Sequence, residues 1–320
     1  MEHELERVRE VQVLAPTEER NDASRDLDRG SALDVLTLLN QADAQVAPAV
    51  AATLPELALL VDATVKRIRE GGVVHYVGAG TSGRLAVLDA AELRPTFNVA
   101  AGVVLAHHAG GPEALVDAVE GVEDDEEAGR RALAEVTSRD VVVGLTASGR
   151  TPYVRGALEA ARERGALTAL VTANPRAELA PLVDHLIAPD TGAEVVTGST
   201  RLKAGTAQKL VLNGFSTAVM VRLGRTFGNL MVDVVATNAK LRGRVVRILC
   251  EATGVDEATA RIALRAADDE LKPALLCLLA DVSVATARAT LSEHGEVLAT
   301  ALSALRGTGA EGGAAPALVS

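Results

Sequence analysis

The segment from Tyr76 to Glu92 constrains the fold more than any other part of the chain. It reads YVGAGTSGRLAVLDAAE and begins within an apolar run at residues 73–77. The run predicts a buried strand, the glycines predict a tight loop, and the residues from Arg84 onward predict a helix. A strand, a glycine-rich loop and a helix in this order point backbone N–H groups and the positive end of the helix at an anion. The segment therefore predicts a phosphate site within an α/β unit.

The glycine spacing in this loop also matches the dinucleotide-binding pattern, which on its own is a weak signal. That fold places an acidic residue at the end of the next strand to hold the ribose. The next apolar run, residues 99–106, is followed by HHAGG, which contains no carboxylate. A Walker loop is excluded because no Gly-Lys-Ser/Thr triplet is present, while a purely structural glycine turn stays open.

A second hydroxyl-rich loop follows the apolar run at residues 140–145. It reads TASGRTPY, and its ASGR at 147–150 repeats the TSGR of 81–84. A dinucleotide site needs one such loop, whereas two loops at neighbouring strand ends suit one small phosphorylated ligand held from both sides. For Arg84 and Arg150, both a phosphate clamp and pairing with nearby acids stay open.

A third group of donors precedes a long predicted helix at residues 207–223. Its members are Ser199, Thr200, Arg201 and Lys203. Capping the helix would use one hydroxyl, so four donor residues exceed what a cap needs.

Alternating apolar runs and helical patterns from residue 73 to about 223 predict an α/β fold with a five-stranded parallel sheet sandwiched by helices. The runs are continuously apolar, as expected when helices cover both faces of the sheet. The predicted strands are 73–77, 101–106, 140–145, 167–172 and 184–188. The predicted helices between them are 84–93, 113–118, 124–136, 153–164 and 176–181.

Helical patterns flank this α/β region on both sides. Ser31 and Asp34 predict a capping box at the start of the first helix. The predicted divisions are a disordered lead-in at 1–16, an N-terminal helical segment at 17–58, the α/β domain at 59–230, a C-terminal helical module at 231–306 and a disordered tail at 307–320.

Composition limits the partners of the chain. The 320 residues have a net charge of −11 and only 2% aromatic residues, which disfavours nucleic acid and anionic membranes as partners. Local donors can still bind an anionic substrate. The charged N-terminus and the lack of a membrane-length apolar run lead us to expect a soluble, cytoplasmic protein.

Neither the cysteines nor the adjacent histidines predict a metal site. Cys250 and Cys277 lie in apolar helical contexts, which favours buried free thiols. His107 and His108 lack a third ligand at helical spacing, so a metal site there is rejected.

Two acidic stretches carry candidate carboxylates, although each has an ordinary structural interpretation. Asp89 and Glu92 form an i, i+3 pair that is typical of a helix surface. Residues 120–127 read EGVEDDEE, which is typical of a solvated helix start.

Long ungapped motifs give the chain a specific resemblance to a known family. They are TEERN at 17–21, VGAGTSGRL at 77–85, DAAELRPTF at 89–97, AVEGVEDD at 118–125, GLTASGRTPYV at 144–154, TGSTRLKAGTAQKLVLN at 197–213 and GNLMVDVVATNAKL at 228–241. With these motifs the chain resembles the N-acetylmuramic acid 6-phosphate etherase family of the sugar isomerase domain superfamily. The resemblance runs from about Thr17 to Leu305.

This resemblance implies an activity, a site and an assembly. The implied reaction cleaves the D-lactyl ether of N-acetylmuramic acid 6-phosphate to N-acetylglucosamine 6-phosphate and D-lactate, in peptidoglycan recycling and amino-sugar catabolism, without a metal or organic cofactor. It implies a homodimer whose site is completed across the interface. The implied catalytic acid is Glu92, with Ala91 where the family motif has serine, and the second carboxylate is Glu123 rather than Glu120. The implied phosphate and sugar contacts are Gly80, Thr81, Ser82, Ser148, Gly149, Arg150, Thr151, Ser199 and Thr200.

Two other functions stay open at this level. An aldose–ketose isomerase of the same fold would use one base and release no lactate. A phosphosugar-sensing regulator, similar to glucokinase regulatory protein, would bind without chemistry, although that family has two such domains in tandem and this chain has room for one. The presence of both Glu92 and Glu123 favours the etherase, because a carboxylate base and a carboxylic acid suit an elimination.

Overall fold

The computed structural model describes residues 15–117, 119–234 and 239–307, and it contains a five-stranded parallel sheet in the order β2-β1-β3-β4-β5. Its strands are β1 (Val74–Gly78), β2 (Val104–His108), β3 (Val141–Leu145), β4 (Leu167–Val171) and β5 (His185–Ile187). The predicted α/β class is confirmed, and every predicted strand overlaps an observed one. All residues of β1 and β3 are buried, which explains why their sequences are continuously apolar.

Helices precede, connect and follow the strands. They are α1 (Ala32–Asp43), α2 (Val46–Ala51), α3 (Leu54–Arg69), α4 (Gly80–Phe97), α5 (Glu113–Val116), α6 (Glu126–Ala132), α7 (Pro152–Glu163), α8 (Lys203–Arg222), α9 (Ala239–Thr253), α10 (Glu257–Ala266), α11 (Leu271–Ala280), α12 (Val284–Glu293) and α13 (Leu298–Gly307). The capping box predicted at α1 is confirmed: the Ser31 hydroxyl accepts from the N–H of Asp34, whose carboxylate accepts from the N–H of Ser31 at 2.9 Å.

The helix predicted at 176–181 is wrong, because only a short 3₁₀ turn, Ala180–Leu182, forms there. The side chain of Asn174 accepts from the N–H of Arg176 at 3.0 Å and so stabilises a turn instead of a helix start. Pro181 also lacks a backbone donor. The sequence patterns further missed a two-stranded hairpin, β6 (Thr226–Phe227) with β7 (Leu230–Met231).

The described residues form two compact units, one with residues 15–90 and 102–215 and the other with 91–101 and 216–307. The second unit has its own apolar core, which includes the fully buried Leu249 and Leu275. Cys250 and Cys277 are free and partly buried. The domain boundaries drawn from the sequence stay predictions. Residues 1–14 of the predicted lead-in and 308–320 of the predicted tail lie outside the described residues.

The lengths and hydropathies of the described helices bear on whether the chain could cross a membrane. No single helix there is both long and apolar enough to cross a membrane, although two sharply bent helix pairs meet the length and composition criteria. These pairs are Ala32–Ala51 with Leu54–Arg69 and Leu271–Ala280 with Val284–Glu293.

Gly83 allows the first turn of α4 to lie directly against the ends of β1 and β2. A Cβ atom at this position would lie 2.0 Å from Nδ1 of His108 and 2.5 Å from the carbonyl oxygen of Gly78. Since real Cβ atoms do not approach that closely, any side chain here would force the helix away from the sheet. The close approach keeps the N-terminus of α4 at the carboxyl edge of the sheet.

We expect Gly83→Ala to lower the free energy of unfolding by about 1–3 kcal/mol through overpacking, measured by urea denaturation. Gly243→Ala is the matched control, because Gly243 lies inside α9 with open space around its Cβ position. That control should instead raise the stability by about 0.5–1 kcal/mol. Equal stability of the two variants would show that the contact at Gly83 is not tight.

Candidate active site

A pocket of about 460 Å³ opens at the carboxyl ends of β1 and β3. It lies where the chain leaves β1 toward β2 on one side while β3 pairs on the other, which is the switch point where ligands bind in open α/β sheets. The pocket is rich in hydroxyl groups: Thr81, Ser82, Thr146, Ser148, Thr151 and Thr200 all line it. The predicted convergence of the two loops is thus visible in the arrangement of the sheet.

Ser82 is held at the start of α4 by a residue that the sequence patterns did not single out. Its hydroxyl lies 2.8 Å from Oε1 of Gln208 on α8 and donates to it. Gln208 is buried, and its Nε2 atom has no hydrogen-bond partner within the described part of the chain. The pair fixes the Ser82 side chain, which is itself almost fully buried at the pocket wall. Only the fold could reveal this contact, because the two residues are 126 positions apart.

Thr146 organises the second loop, although only the residues after it were predicted to bind. Its Oγ1 lies 2.7 Å from Oγ1 of Thr151 and accepts from the N–H of Gly149 at 3.3 Å. Gly149 has a φ of +76°, and a Cβ there would lie 2.3 Å from that of Ala177. Gly149 therefore shapes the loop through its backbone, and it is not among the described residues that line the pocket.

Arg150 brings an unsatisfied cation to this pocket. It lines the cavity, and its buried Nη1 atom has no hydrogen-bond partner among the described residues. A buried guanidinium nitrogen without an acceptor is costly, so the site is suited to an anionic oxygen. No acidic partner of Arg150 appears in the described part of the chain, which favours the clamp over the ion pair.

Arg84 contacts backbone carbonyl groups, which differs from both the phosphate clamp and the acidic pair that the sequence left open. Its guanidinium donates to the backbone carbonyl oxygens of Ala114 at 2.7 Å, Leu115 at 2.9 Å and Asp117 at 3.3 Å. These are the carbonyl groups at the C-terminal end of α5, which otherwise lack helical donors. Arg84 therefore anchors the segment that leads toward residues 120–125, the acidic loop.

The acidic loop contributes carboxylates with different surroundings. Glu123 and Asp124 both line the pocket. The backbone carbonyl of Glu123 accepts from the N–H of Tyr153 at 3.0 Å, which ties the loop to α7. Glu120 lines only an adjoining cavity of about 270 Å³, which shares Gly80 and Glu123 with the first. The loop therefore brings Glu123 to both cavities.

Asp125 has a structural role at the end of the same loop. Its carboxylate accepts from the N–H of Ala128 at 2.7 Å and so caps α6. It also lies 3.5 Å from the guanidinium of Arg131.

Glu92 is exposed on α4 and is not among the described residues that line either cavity. It follows Thr81 by eleven residues of one continuous helix. At the helical rise per residue this separates the two by about 16 Å along the axis. Glu92 belongs to the second compact unit, and its pairing with Glu123 stays a prediction.

Of the donors predicted before α8, Thr200 lines the pocket and Ser199 does not. The cap of α8 comes from Glu194 instead of a hydroxyl, since its buried carboxylate accepts from the N–H groups of Lys203 at 3.0 Å and Ala204 at 2.9 Å. Burial raises the pKa of Glu194, although these hydrogen bonds oppose that shift. The ammonium of Lys203 donates to the carbonyl of Thr191. Lys203 therefore supports the loop.

The histidines after β2 pack into the fold. His107 stacks on His75 with ring centroids 5.2 Å apart, and Nε2 of His108 lies 3.1 Å from the carbonyl oxygen of Ala114. Burial, and then the neighbouring His75, lower the pKa of His107 to about 4. Within residues 15–117, 119–234 and 239–307 there is no cluster of three metal-ligating side chains.

The chain is similar to known proteins in both sequence and structure. The chain matches the glucokinase regulatory protein N-terminal SIS domain over residues 56–162 and the SIS domain over residues 113–218. A phosphoheptose isomerase structure from Francisella tularensis aligns over 60% of this chain and all of that chain, with a TM-score of 0.51 and 18% identity. The fold is therefore that of the sugar isomerase domain.

Sequence relatives are more specific. An N-acetylmuramic acid 6-phosphate etherase from Thermobifida fusca is 62% identical over 83% of this chain and 88% of its own length. One from Pectobacterium atrosepticum is 51% identical over 89% of this chain and 95% of its own length. The chain belongs to the N-acetylmuramic acid 6-phosphate etherase family, as its motifs predicted.

We expect Arg150→Met to weaken the binding of a 6-phosphosugar by about 1.5–3 kcal/mol, because a charge-assisted hydrogen bond is lost. The affinity is measured by calorimetry. Arg155→Met is the matched control, since Arg155 lies on α7 and pairs with Glu178. Equal affinities of the two variants would refute an anion site at Arg150.

Proposed function

We propose that the protein is a carbon–oxygen lyase that cleaves the D-lactyl ether of N-acetylmuramic acid 6-phosphate. The products are N-acetylglucosamine 6-phosphate and D-lactate, within peptidoglycan recycling and amino-sugar catabolism. The observation that carries the proposal is that Glu123 lines the same pocket as both hydroxyl-rich loops, in a chain with high identity to etherases. A charged sugar phosphate does not diffuse across a membrane and so stays inside the cell. We therefore propose that the activity is cytoplasmic.

The phosphate is held by the two loops. The side chains of Thr81, Ser148 and Thr151 supply hydroxyls, and that of Ser82 does so once its proton turns from Gln208 to the phosphate. Arg150 supplies the guanidinium whose buried Nη1 atom lacks an acceptor. Gly80 and the start of α4 add backbone N–H groups and the positive end of the helix. Binding energy from the phosphate positions the reacting carbons, which lie away from it on the sugar.

Ser199, Thr200 and Gly149 have smaller roles in this proposal. Thr200 contacts the sugar from the pocket wall, since it lines the cavity. Gly149 acts by holding the second loop in shape, and Ser199, which does not line the cavity, stays a predicted contact.

Glu123 removes the proton from carbon 2 of the open-chain sugar. The aldehyde at carbon 1 makes this proton acidic, and the electron pair then forms the carbon 2–carbon 3 double bond as the carbon 3–oxygen bond breaks. A carboxylic acid gives its proton to the departing lactate oxygen. Water then adds across the double bond, restoring hydrogen at carbon 2 and placing a hydroxyl at carbon 3.

Glu92 supplies that acid from a second copy of the chain. Glu92 lies in the second compact unit of the chain, whereas the residues that line the pocket lie in the first. An exposed Glu92 on a helix surface is instead suited to a homodimer in which each site combines Glu123 of one subunit with Glu92 of its partner.

A phosphosugar-sensing regulator is the second candidate, because residues 56–162 match the glucokinase regulatory protein domain. A regulator would bind the phosphosugar without releasing lactate. The deciding experiment mixes the purified protein with N-acetylmuramic acid 6-phosphate and measures D-lactate. Lactate release supports the etherase, and tight binding without lactate supports the regulator.

Exchange of the carbon 2 hydrogen separates the two carboxylates. We expect Glu123→Gln to abolish both deuterium exchange from solvent and lactate release, because the base is lost, with a decrease on the order of 10²–10⁴-fold. Glu92→Gln should stop lactate release while some exchange remains, because deprotonation needs only the base. Both are followed by NMR. Glu120→Gln is the control; damage equal to that of Glu123→Gln would contradict the assignment.

Mixed dimers test where Glu92 acts. A purified dimer with one Glu92→Gln subunit and one Glu123→Gln subunit holds one site with both carboxylates intact, if the site is shared. We expect this dimer to show about half the wild-type activity, while both mutant homodimers stay inactive. An inactive mixed dimer would place both carboxylates in one subunit, and a fully active monomer in sedimentation would remove the dimer altogether.

A further inference from the structure

Glu18 adds another carboxylate to the pocket, from the N-terminal part of the chain. It belongs to the motif at 17–21 but to none of the predicted sites. It lines the cavity together with Glu123 and Asp124, and the described residues give its carboxylate no ion-pair or hydrogen-bond partner. A pocket that binds a phosphate gains nothing from additional negative charge unless the carboxylates act on the ligand.

The backbone around Glu18 is fixed, although its side chain is exposed. Thr17 is fully buried, and its carbonyl oxygen accepts from the N–H of Gly198 at 3.0 Å. The side chain of Asn21 donates to the carbonyl oxygen of Ala193 at 3.3 Å. Two such contacts with a loop about 170 residues away order the short 3₁₀ turn that carries Glu18. The anchored turn holds the carboxylate at the pocket wall.

Gly198 leaves the space that this carboxylate occupies. Its φ is +75°, and a Cβ there would lie 3.0 Å from Oε2 of Glu18. Gly198 also lines the pocket, so Glu18 reaches the ligand over a position without a side chain. Glu18 and Glu123 therefore come to the cavity from separate segments of the chain.

We propose that Glu18 is the residue that opens the sugar ring before elimination. This inference rests on the proposed etherase function, in which carbon 2 becomes acidic only when carbon 1 is an aldehyde. The carboxylate takes the proton of the carbon 1 hydroxyl as the bond between carbon 1 and the ring oxygen breaks. The same group then gives that proton to the released carbon 5 oxygen, so no net charge or proton is left over.

An open-chain substrate separates ring opening from elimination. An analogue of N-acetylmuramic acid 6-phosphate with hydrogen in place of the hydroxyls at carbons 4 and 5 cannot close into a ring. We expect Glu18→Gln to lower kcat/KM for the cyclic substrate on the order of 10²–10⁴-fold. The same variant should release lactate from the analogue within about threefold of wild type, which also reports that it is folded. The control Glu19→Gln alters an exposed neighbour that does not line the pocket, and it should match wild type on both substrates.

Each result decides the inference. Selective loss on the cyclic substrate supports ring opening by Glu18. Equal loss on both substrates, or no loss on either, overturns it, because the residue would then act in elimination, in binding or in neither. If the wild-type protein releases lactate from neither substrate, the etherase function itself fails and this inference fails with it. Wild-type lactate release together with an unselective Glu18→Gln variant overturns only the inference.

Discussion

The parallel pairing of β1 with β3 is the constraint on which the site depends. Gly78 and Leu145, the last residues of the two strands, are paired in register, so the loops that follow begin at the same level of the sheet edge. Both loops contain the Ser-Gly-Arg triplet, and equal starting levels bring their hydroxyls to one cavity. Gly83 then keeps the first turn of α4 close to the sheet, where its free N–H groups face that cavity. A shift in strand register would separate the two loops.

Electrostatics in the cavity are local and are not set by the charge of the whole chain. The protein has a net charge of −11, and three carboxylates line the pocket beside one guanidinium. In the proposed function an anion is bound by oriented donors, namely hydroxyls, helix N–H groups and the unpartnered nitrogen of Arg150. In the proposals made above, Glu123 and Glu18 act on the uncharged part of the ligand, where proton transfer is required. In this proposal, positively polarised donors in the pocket bind the phosphate of the ligand, and negatively charged carboxylates carry out the proton transfers on its sugar.

The sequence predicted the features that are set by local residue patterns, and it missed the features that are set by tertiary contacts. Continuous apolar runs located the five strands of the parallel sheet but not the hairpin, and the repeated hydroxyl motif marked two loops that line one pocket. The helix expected at 176–181 failed because Asn174 satisfies the local N–H group within a turn. Gln208 and Glu18 escaped notice because their importance comes from contacts with residues more than 100 positions away. A contact between residues that are far apart in the chain leaves no periodic signal in the sequence.

The three hydrogen bonds of Arg84 to the carbonyl groups at the C-terminal end of α5 have a consequence for interpreting variants. Arg84 sits inside the motif at 81–84, so a substitution that abolished activity would be attributed to lost ligand contact. Its guanidinium is instead occupied by the backbone, and removing it would free the polypeptide that precedes Glu120 and Glu123. A loss of activity in a variant at position 84 would thus indicate that the acidic loop is no longer held in place. Lysine would be a poor replacement, because a single ammonium cannot reproduce the fork that spans three carbonyl groups.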